Sequence, residues 1–303
     1  MNKSKLLKTI VAIVSVVAIS VGGYTYRDAI HSRIARTAAV VSGQEIKPLL
    51  DSEGRYIRQI VGKDNSTSRT IMWQSDSSEA DAVIEFRVDG SENIQSIGAT
   101  DKVFTDDGST TYIHEGTLTG LTPSTKYEYR VGYGNDRRSD WYSLETAGAS
   151  VYDVLIYPDS QSGDYSGWEQ LVKDSAHRNP RTALYISMGD LVDNGEQDYQ
   201  WRTWLNSIRP LSANVPLAPT LGNHEMYTLD WKMREPRAYL NYFDVPPNGN
   251  ETFNRRYYSY DFGDVHYVVL DTMLYESNHE DNQDTHHPDL YDVQVQWLSL
   301  IHI

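Results

Sequence analysis

At 303 residues the chain has room for two domains, and 39% apolar with 11% aromatic residues can supply two cores. A formal net charge of -15 argues against nucleic acid as a bulk partner. It leaves open a phosphate-processing site, where bound metal ions invert the local field. Cysteine is absent, which excludes disulfides and thiolate metal sites, so any metal must be held by oxygen and nitrogen ligands.

Residues 1–24 read as an export segment. Lys3, Lys5 and Lys8 precede the apolar run Ile10 to Val21, which is short for a membrane span and suits a signal h-region. Ala18-Ile19-Ser20 offers a small-x-small cleavage site. Counting in Leu6 and Leu7, an uncleaved N-terminal anchor fits equally well. Both readings export the protein, either secreted or anchored at the outer face of the cell membrane. Residues 25–45 are polar with scattered Arg and Ala, and read as a linker.

Residues 46–147 are β-rich. Thr70 to Gln74 and Ala82 to Val88 alternate as half-buried strands do, with turn formers at Asp64-Asn65-Ser66 and Asp106-Asp107-Gly108. The stretch Leu121-Thr122-Pro123-Ser124-Thr125-Lys126-Tyr127-Glu128-Tyr129, with Trp73 on an early strand, resembles a fibronectin type III β-sandwich. In such a fold a tyrosine ahead of a late strand ties a corner by bonding its hydroxyl to backbone, and Tyr127 is the residue expected to do so. Trp73, Tyr127 and Tyr129 are expected in the core.

From residue 150 to 303 strands alternate with helices, which implies a layered α/β domain. Strands are expected at Val151–Tyr157, Ala183–Met188, Val215–Thr220 and Val265–Asp271, and helices at Gly167–His177, Asp198–Ile208 and Pro236–Phe243. Tyr291 to Leu298 opens an amphipathic helix whose apolar face is expected to lack a partner. That pattern, with the string Leu298 to Ile303, predicts a truncated gene product with a non-native tail.

Three of these strands deliver oxygen ligands at their carboxyl ends: Asp159-Ser160-Gln161, then Gly189-Asp190-Leu191-Val192-Asp193, then Gly222-Asn223-His224-Glu225. An α/β sheet presents a site in this way. The motifs, about 30 residues apart, resemble the calcineurin-like metallophosphoesterases. With the preceding sandwich, the layout resembles the purple acid phosphatases over Ile46 to Trp297. That resemblance implies a four-layer α/β/β/α catalytic domain, here incomplete at its C-terminus. It also implies two divalent or trivalent metal ions (iron, manganese or zinc) and hydrolysis of small phosphomonoesters by a dinuclear metal-bound hydroxide.

Within that resemblance Asp190 bridges the two metals, since a Gly-Asp pair lets the backbone turn sharply. Asp159 binds the first and Asn223 the second. His224 is a catalytic residue beside the phosphate that protonates the leaving alkoxide. Asp193 accepts a hydrogen bond from His224 and fixes its tautomer. Two departures limit the likeness. Asp193 stands where the purple enzymes carry the tyrosine that colours ferric iron, and Gln161 stands where others carry histidine or glycine. The family's later Val-x-x-His and Gly-His-x-His motifs do not occur, so the fragment is expected to bind metal poorly and hydrolyse little. His286 and His287 read as a solvated loop, His266 as packing and His114 as a structural histidine. A phosphodiesterase or nucleotidase on the same scaffold remains an alternative, separated by monoester against diester hydrolysis. So does an inert exported binding module, which predicts indifference to Asp190→Asn.

Overall fold

The computed structural model describes residues 54–78, 81–148, 151–273 and 289–301. The expected export segment, the linker, His286 and His287 lie outside the described residues. Among the described residues no helix is long and apolar enough to cross a membrane.

Among the described residues nine strands come first, then strands interspersed with helices. The first set is β1 (Arg55–Ile60), β2 (Arg69–Ser75), β3 (Ala82–Val88), β4 (Gln95–Gly98), β5 (Thr100–Asp106), β6 (Ser109–Leu118), β7 (Lys126–Tyr133), β8 (Arg137–Arg138) and β9 (Tyr142–Glu145). The second is β10 (Asp153–Tyr157), α1 (Ser166–Arg178), β11 (Thr182–Met188), α2 (Asp198–Ser212), β12 (Leu217–Thr220), α3 (Arg237–Tyr242), β13 (Tyr258–Phe262), β14 (Val265–Val269) and α4 (Asp289–Ile301). The architecture is a β-sandwich followed by an α/β unit, as expected. Helix α2 runs past its expected end through Pro210. The hairpin strand β13 is an addition to the expected elements.

The sandwich core lies between two sheets. Ile57, Ile71, Trp73, Ile84, Tyr129 and Val131 pack there, and Trp73 donates its indole N–H to Tyr133 Oη at 2.9 Å. Tyr127 ties the corner by accepting the Thr122 amide at its hydroxyl, 2.9 Å away. His114 is buried and structural: it stacks on Trp73 and bonds Asp101 and Ser75 through its two ring nitrogens. The Asp107-Gly108 pair closes the β5–β6 hairpin with both residues at positive φ, 47° and 68°, as a two-residue hairpin with a right-handed twist requires.

The sandwich is not a separate bead. One seven-stranded sheet runs β10-β11-β12-β1-β2-β6-β5, joined where Ile60 of β1 pairs in parallel with Leu217 of β12. This corrects the half-buried reading of Thr70 to Gln74: β2 is buried from Arg69 through Gln74. Its Ile71 and Trp73 enter the sandwich core, while Met72 enters the core of the α/β unit with Ile60, Phe104, Ile113, Trp201, Trp204 and Tyr242. A strand sandwiched between two cores buries both faces, whatever its alternation suggests. Arg58, wholly buried at this junction, donates to the carbonyls of Tyr242 and Tyr56, and burial pulls its pKa down to about 9.

Two further expectations change. His266 is exposed on β14 and pairs with Asp261 at 2.6 Å instead of packing in a core. The apolar face of α4 has partners: Leu290, Val293 and Trp297 meet Phe253 and Tyr257, and Gln294 exchanges hydrogen bonds with the backbone of Asp271. On the parallel strands, Ile156 and Met188 are about half exposed, at 54% and 55%.

Tyr127→Phe removes one buried hydroxyl and leaves the Thr122 amide unpaired. It should lower unfolding free energy by about 1 kcal/mol in denaturant melts; an unchanged midpoint would show that the corner bond carries no net stability.

Candidate metal centre

Parallel strands β10, β11 and β12 lie side by side, so the loops at their carboxyl ends converge. Asp159 follows β10, Asp190 follows β11 and Asn223 follows β12. The chain turns sharply at the first two places. Asp159 has φ 37°, and Gly189 and Asp190 have φ 78° and 48°. Left-handed backbone is disfavoured for most side chains and tolerated by aspartate, and such residues collect at functional sites. The backbone carbonyl of Asp190 accepts the amides of both Ser160 and Gln161 at 3.0 Å, which binds the first loop to the second. Buried Ser160 adds a second tie, receiving the Trp204 indole N–H and donating to the Leu191 carbonyl.

The second and third loops are joined through Glu225. Its wholly buried carboxylate accepts the amides of Gly222 at 2.7 Å, Leu191 at 2.7 Å, Asp190 at 3.0 Å and Val192 at 3.4 Å. Glycine is required beside it: a Cβ on Gly222 would stand 2.1 Å from Asp190 Oδ1, and one on Gly195 would stand 1.9 Å from the Glu225 carbonyl. Burial, and then the neighbouring Asp190 charge, push the Glu225 pKa up to about 7, against the pull of the amides. Sequence reading placed Glu225 inside a motif without giving it a role. Its clamp joins residues more than thirty positions apart, which local pattern does not reveal.

His224 sits in a short 3-10 turn, His224–Met226. Its Nδ1–H donates to the backbone carbonyl of Asp193 at 2.7 Å, while the Asp193 carboxylate stands 3.7 Å away. The expected carboxylate hydrogen bond is therefore replaced by a carbonyl, because Gly195 donates its amide to the His224 carbonyl at 2.8 Å and aligns the two backbones. The tautomer is fixed all the same, leaving Nε2 as the other ring nitrogen available for chemistry. The backbone amide of His224 donates to Asp190 Oδ1 at 3.0 Å.

Of the aromatic residues near the motifs, Tyr165, Trp168 and Trp201 are buried in the core. Tyr227 remains beside the site, its ring edge-on to His224 at 5.3 Å. Trp231, which sequence reading did not single out, also meets His224 edge-on at 6.2 Å, and packs on Tyr227 at 5.3 Å.

Asp159, Asp190 and Asn223 follow three adjacent strands and offer oxygen donors of the kind that hard and borderline cations take. Among the described residues no cluster of three His, Cys, Asp or Glu side chains is poised to hold a metal; the oxygen donor beside Asp190 is the amide of Asn223. Its Nδ2 donates to Tyr227 Oη at 3.1 Å, which turns its carbonyl end toward Asp190, 3.2 Å from both carboxylate oxygens. Acceptor facing acceptor is tolerable when a cation lies between; without one, the reversed amide donates to Asp190 and accepts from Tyr227. Gln161 Oε1 is likewise a buried acceptor with no protein donor. The residues present thus fit a cation.

The sequence profile of the Calcineurin-like phosphoesterase family matches residues 139–300, and that of the Purple acid Phosphatase, N-terminal domain matches residues 56–146. Purple acid phosphatase 23 of Arabidopsis thaliana is 26% identical over 201 residues, covering 55% of this chain and 42% of that protein. Purple acid phosphatase 13 of the same plant is 31% identical over 205 residues, covering 56% of this chain and 37% of that protein. The chain thus spans less than half the length of these relatives. A purple acid phosphatase from yellow lupin (Lupinus luteus) seeds shares the fold, with a TM-score of 0.64 at 20% identity over 82% of this chain and 48% of that one.

The Glu225 environment makes stability depend on pH. Its folded pKa of about 7 exceeds the ordinary 4.5, so the folded state binds the extra proton. The contribution is complete below pH 4.5 and is lost as pH rises through about 7. In chelator-treated protein, Glu225→Gln should flatten the stability-against-pH curve across that window by on the order of 3 kcal/mol. Parallel curves for the two proteins would remove Glu225 as the titrating group.

Proposed function

This chain belongs to the calcineurin-like phosphoesterase family, and from that premise we propose that it is a metal-dependent hydrolase of small phosphate esters. The observation that carries the reading is the placement of Asp159, Asp190 and Asn223 just after three adjacent parallel strands, with the Asn223 amide beside the Asp190 carboxylate. These three residues would hold the metal ions, with Asp190 central and able to bridge a pair. When bound, such ions supply Lewis acidity and a water acidic enough to attack phosphorus in line.

The chain's own groups supply the rest. The His224 amide on Asp190 Oδ1 fixes that carboxylate's orientation, and Tyr227 holds the Asn223 amide. His224, with Nδ1–H committed to the Asp193 carbonyl, presents Nε2 to the leaving oxygen and, as the doubly protonated imidazolium, donates the Nε2 proton there and returns to the neutral ring. Tyr227 and Trp231 flank the imidazole and present apolar surface to the organic part of the ester. Phosphomonoesters are the proposed substrates. Asp193 occupies the position of the iron-bound tyrosine in purple enzymes, so a visible tyrosinate absorption is not expected. The basic, apolar N-terminus supports export, secreted or anchored at the outer face of the membrane.

Metal binding is measured by calorimetry with manganese or zinc, and turnover on the same protein. Asp190→Asn should weaken metal binding at least about 100-fold and abolish metal-dependent hydrolysis of p-nitrophenyl phosphate. His224→Gln should keep metal affinity and lower kcat by about 100-fold or more. Hydrolysis that survives Asp190→Asn unchanged would falsify the mechanism; faster turnover of bis-p-nitrophenyl phosphate than of the monoester would move the substrate to diesters.

A further inference from the structure

The loop that carries the two aromatic neighbours of His224 is fastened to the N-terminal sandwich. Residues Tyr227 and Met233 pair as an isolated antiparallel bridge. Between them the Thr228 amide donates to the Lys232 carbonyl at 2.7 Å, and the Trp231 amide to the Thr228 carbonyl at 2.8 Å. Trp231 is held at φ 61°, a conformation that a bulky residue keeps only when its surroundings enforce it. Its indole N–H is buried without an acceptor. These bonds close the turn on itself, and its seat against His224 depends on contacts beyond the turn.

What encloses it is a charged network that reaches the β5–β6 hairpin. Arg234, one residue past Met233, grips Asp106 at the end of β5 with both terminal nitrogens, one at 3.0 Å. The Asp106 carboxylate is 8% exposed and the Arg234 side chain 19%, so water screens the fork only weakly, and a bidentate arginine pair also fixes orientation. The Arg234 amide donates to the Met226 carbonyl at 2.8 Å, which ties the arginine to the turn that holds His224. Arg234 also stands 3.6 Å from Glu196. Glu196 in turn accepts the Leu229 amide at 2.6 Å and donates its own amide to the Tyr227 carbonyl at 3.0 Å.

We propose that Asp106 of the sandwich is a positioning residue for His224, acting through Arg234 and Glu196 on the aromatic loop Tyr227–Met233. The sandwich is then part of the catalytic apparatus: it holds the Tyr227 and Trp231 rings against the imidazole and keeps Nδ1–H on the Asp193 carbonyl. The inference rests on reading His224 as the group that meets the leaving oxygen.

The first readout needs neither metal nor turnover. In nitrogen-15 spectra of the histidine rings of this chain, assigned by the signal missing from His224→Gln, the Nδ1–H of His224 should be protected. Asp106→Asn breaks the bidentate charge pair and should speed exchange of that proton by about tenfold or more, as opening of the loop costs less. Asp106→Glu, which keeps the carboxylate, should restore most of the protection. Tyr127→Phe serves as the control: it destabilises the sandwich from elsewhere and should leave the His224 ring signals in place. Should Asp106→Asn fail to fold, Arg234→Lys, which keeps the charge and loses the fork, takes its place.

In the active protein the same variants should lower kcat for p-nitrophenyl phosphate while metal affinity stays unchanged. Ring signals of His224 that move no more in Asp106→Asn than in Tyr127→Phe would overturn the proposal. Because the ring signals are read without metal or substrate, absence of hydrolysis in the unmodified protein would count against the proposed function and leave the positioning result readable.

Discussion

Two loops that meet only in the folded chain are held together because the Glu225 carboxylate takes backbone amides from both, Gly222 on one side and Asp190, Leu191 and Val192 on the other. Everything proposed for the site depends on that junction. The loop after β11 supplies Asp190 and the carbonyl that orients His224; the loop after β12 supplies Asn223 and His224 itself. Separated, they would leave one carboxylate and one amide with no fixed relation. The clamp also explains the glycines around it, since side chains at positions 195 and 222 would collide with the joined backbone. A buried acid beside another acid is costly, and the raised pKa of Glu225 expresses that cost. It is offset by amides that have no other buried acceptor.

The second constraint is the shared sheet. Because β1 pairs with both β2 and β12, the sheet whose strands lead to Asp159, Asp190 and Asn223 continues directly into the sandwich. The middle strands therefore serve two cores at once, and Met72 and Trp73 on adjacent positions of β2 belong to different ones. Polar groups buried at this seam are satisfied across it: Gln59 donates to the carbonyls of Ala213 and Ser143, and the Tyr129 hydroxyl to that of Ala213. A junction of this kind resists rotation of one part against the other. That is the mechanical condition for a sandwich hairpin to hold the Tyr227–Met233 loop.

Much of this was legible in the sequence because it is local. Strands β3, β10, β11 and β12, helices α1 and α3, the Asp107-Gly108 turn and the Tyr127 corner each follow from a few neighbouring residues. Strand β13 had a usable signal, Tyr258-Ser259-Tyr260-Asp261-Phe262 followed by Gly263-Asp264, which alternates and then turns. What escaped was set by distance along the chain. Residues 106 and 234 pair across 128 positions, and no pattern in either segment announces the other. Trp231 escaped for another reason: its four-residue spacing from Tyr227 suggests a helix face, whereas the chain there makes a left-handed turn. The His224 partner was placed on the right residue and the wrong atoms, since a motif specifies Asp193 but only the backbone path decides between its carbonyl and its carboxylate.

The remaining question is why the site tolerates so much local cost. Asp159, Asp190 and Trp231 sit at positive φ, each at a cost of order 1 kcal/mol or more. Gln161 Oε1 and the Trp231 indole are buried without partners. These features lie in three loops and would relax if the loops were free. They persist because hydrogen bonds to a charged group, of about 1.5–3 kcal/mol each, cross from loop to loop at Glu225 and from loop to sandwich at Arg234. A cation beside Asp190 would neutralise the charge that helps raise the Glu225 pKa. The same contacts that hold these loops in strained backbone therefore also hold Asp190 and Asn223 side by side.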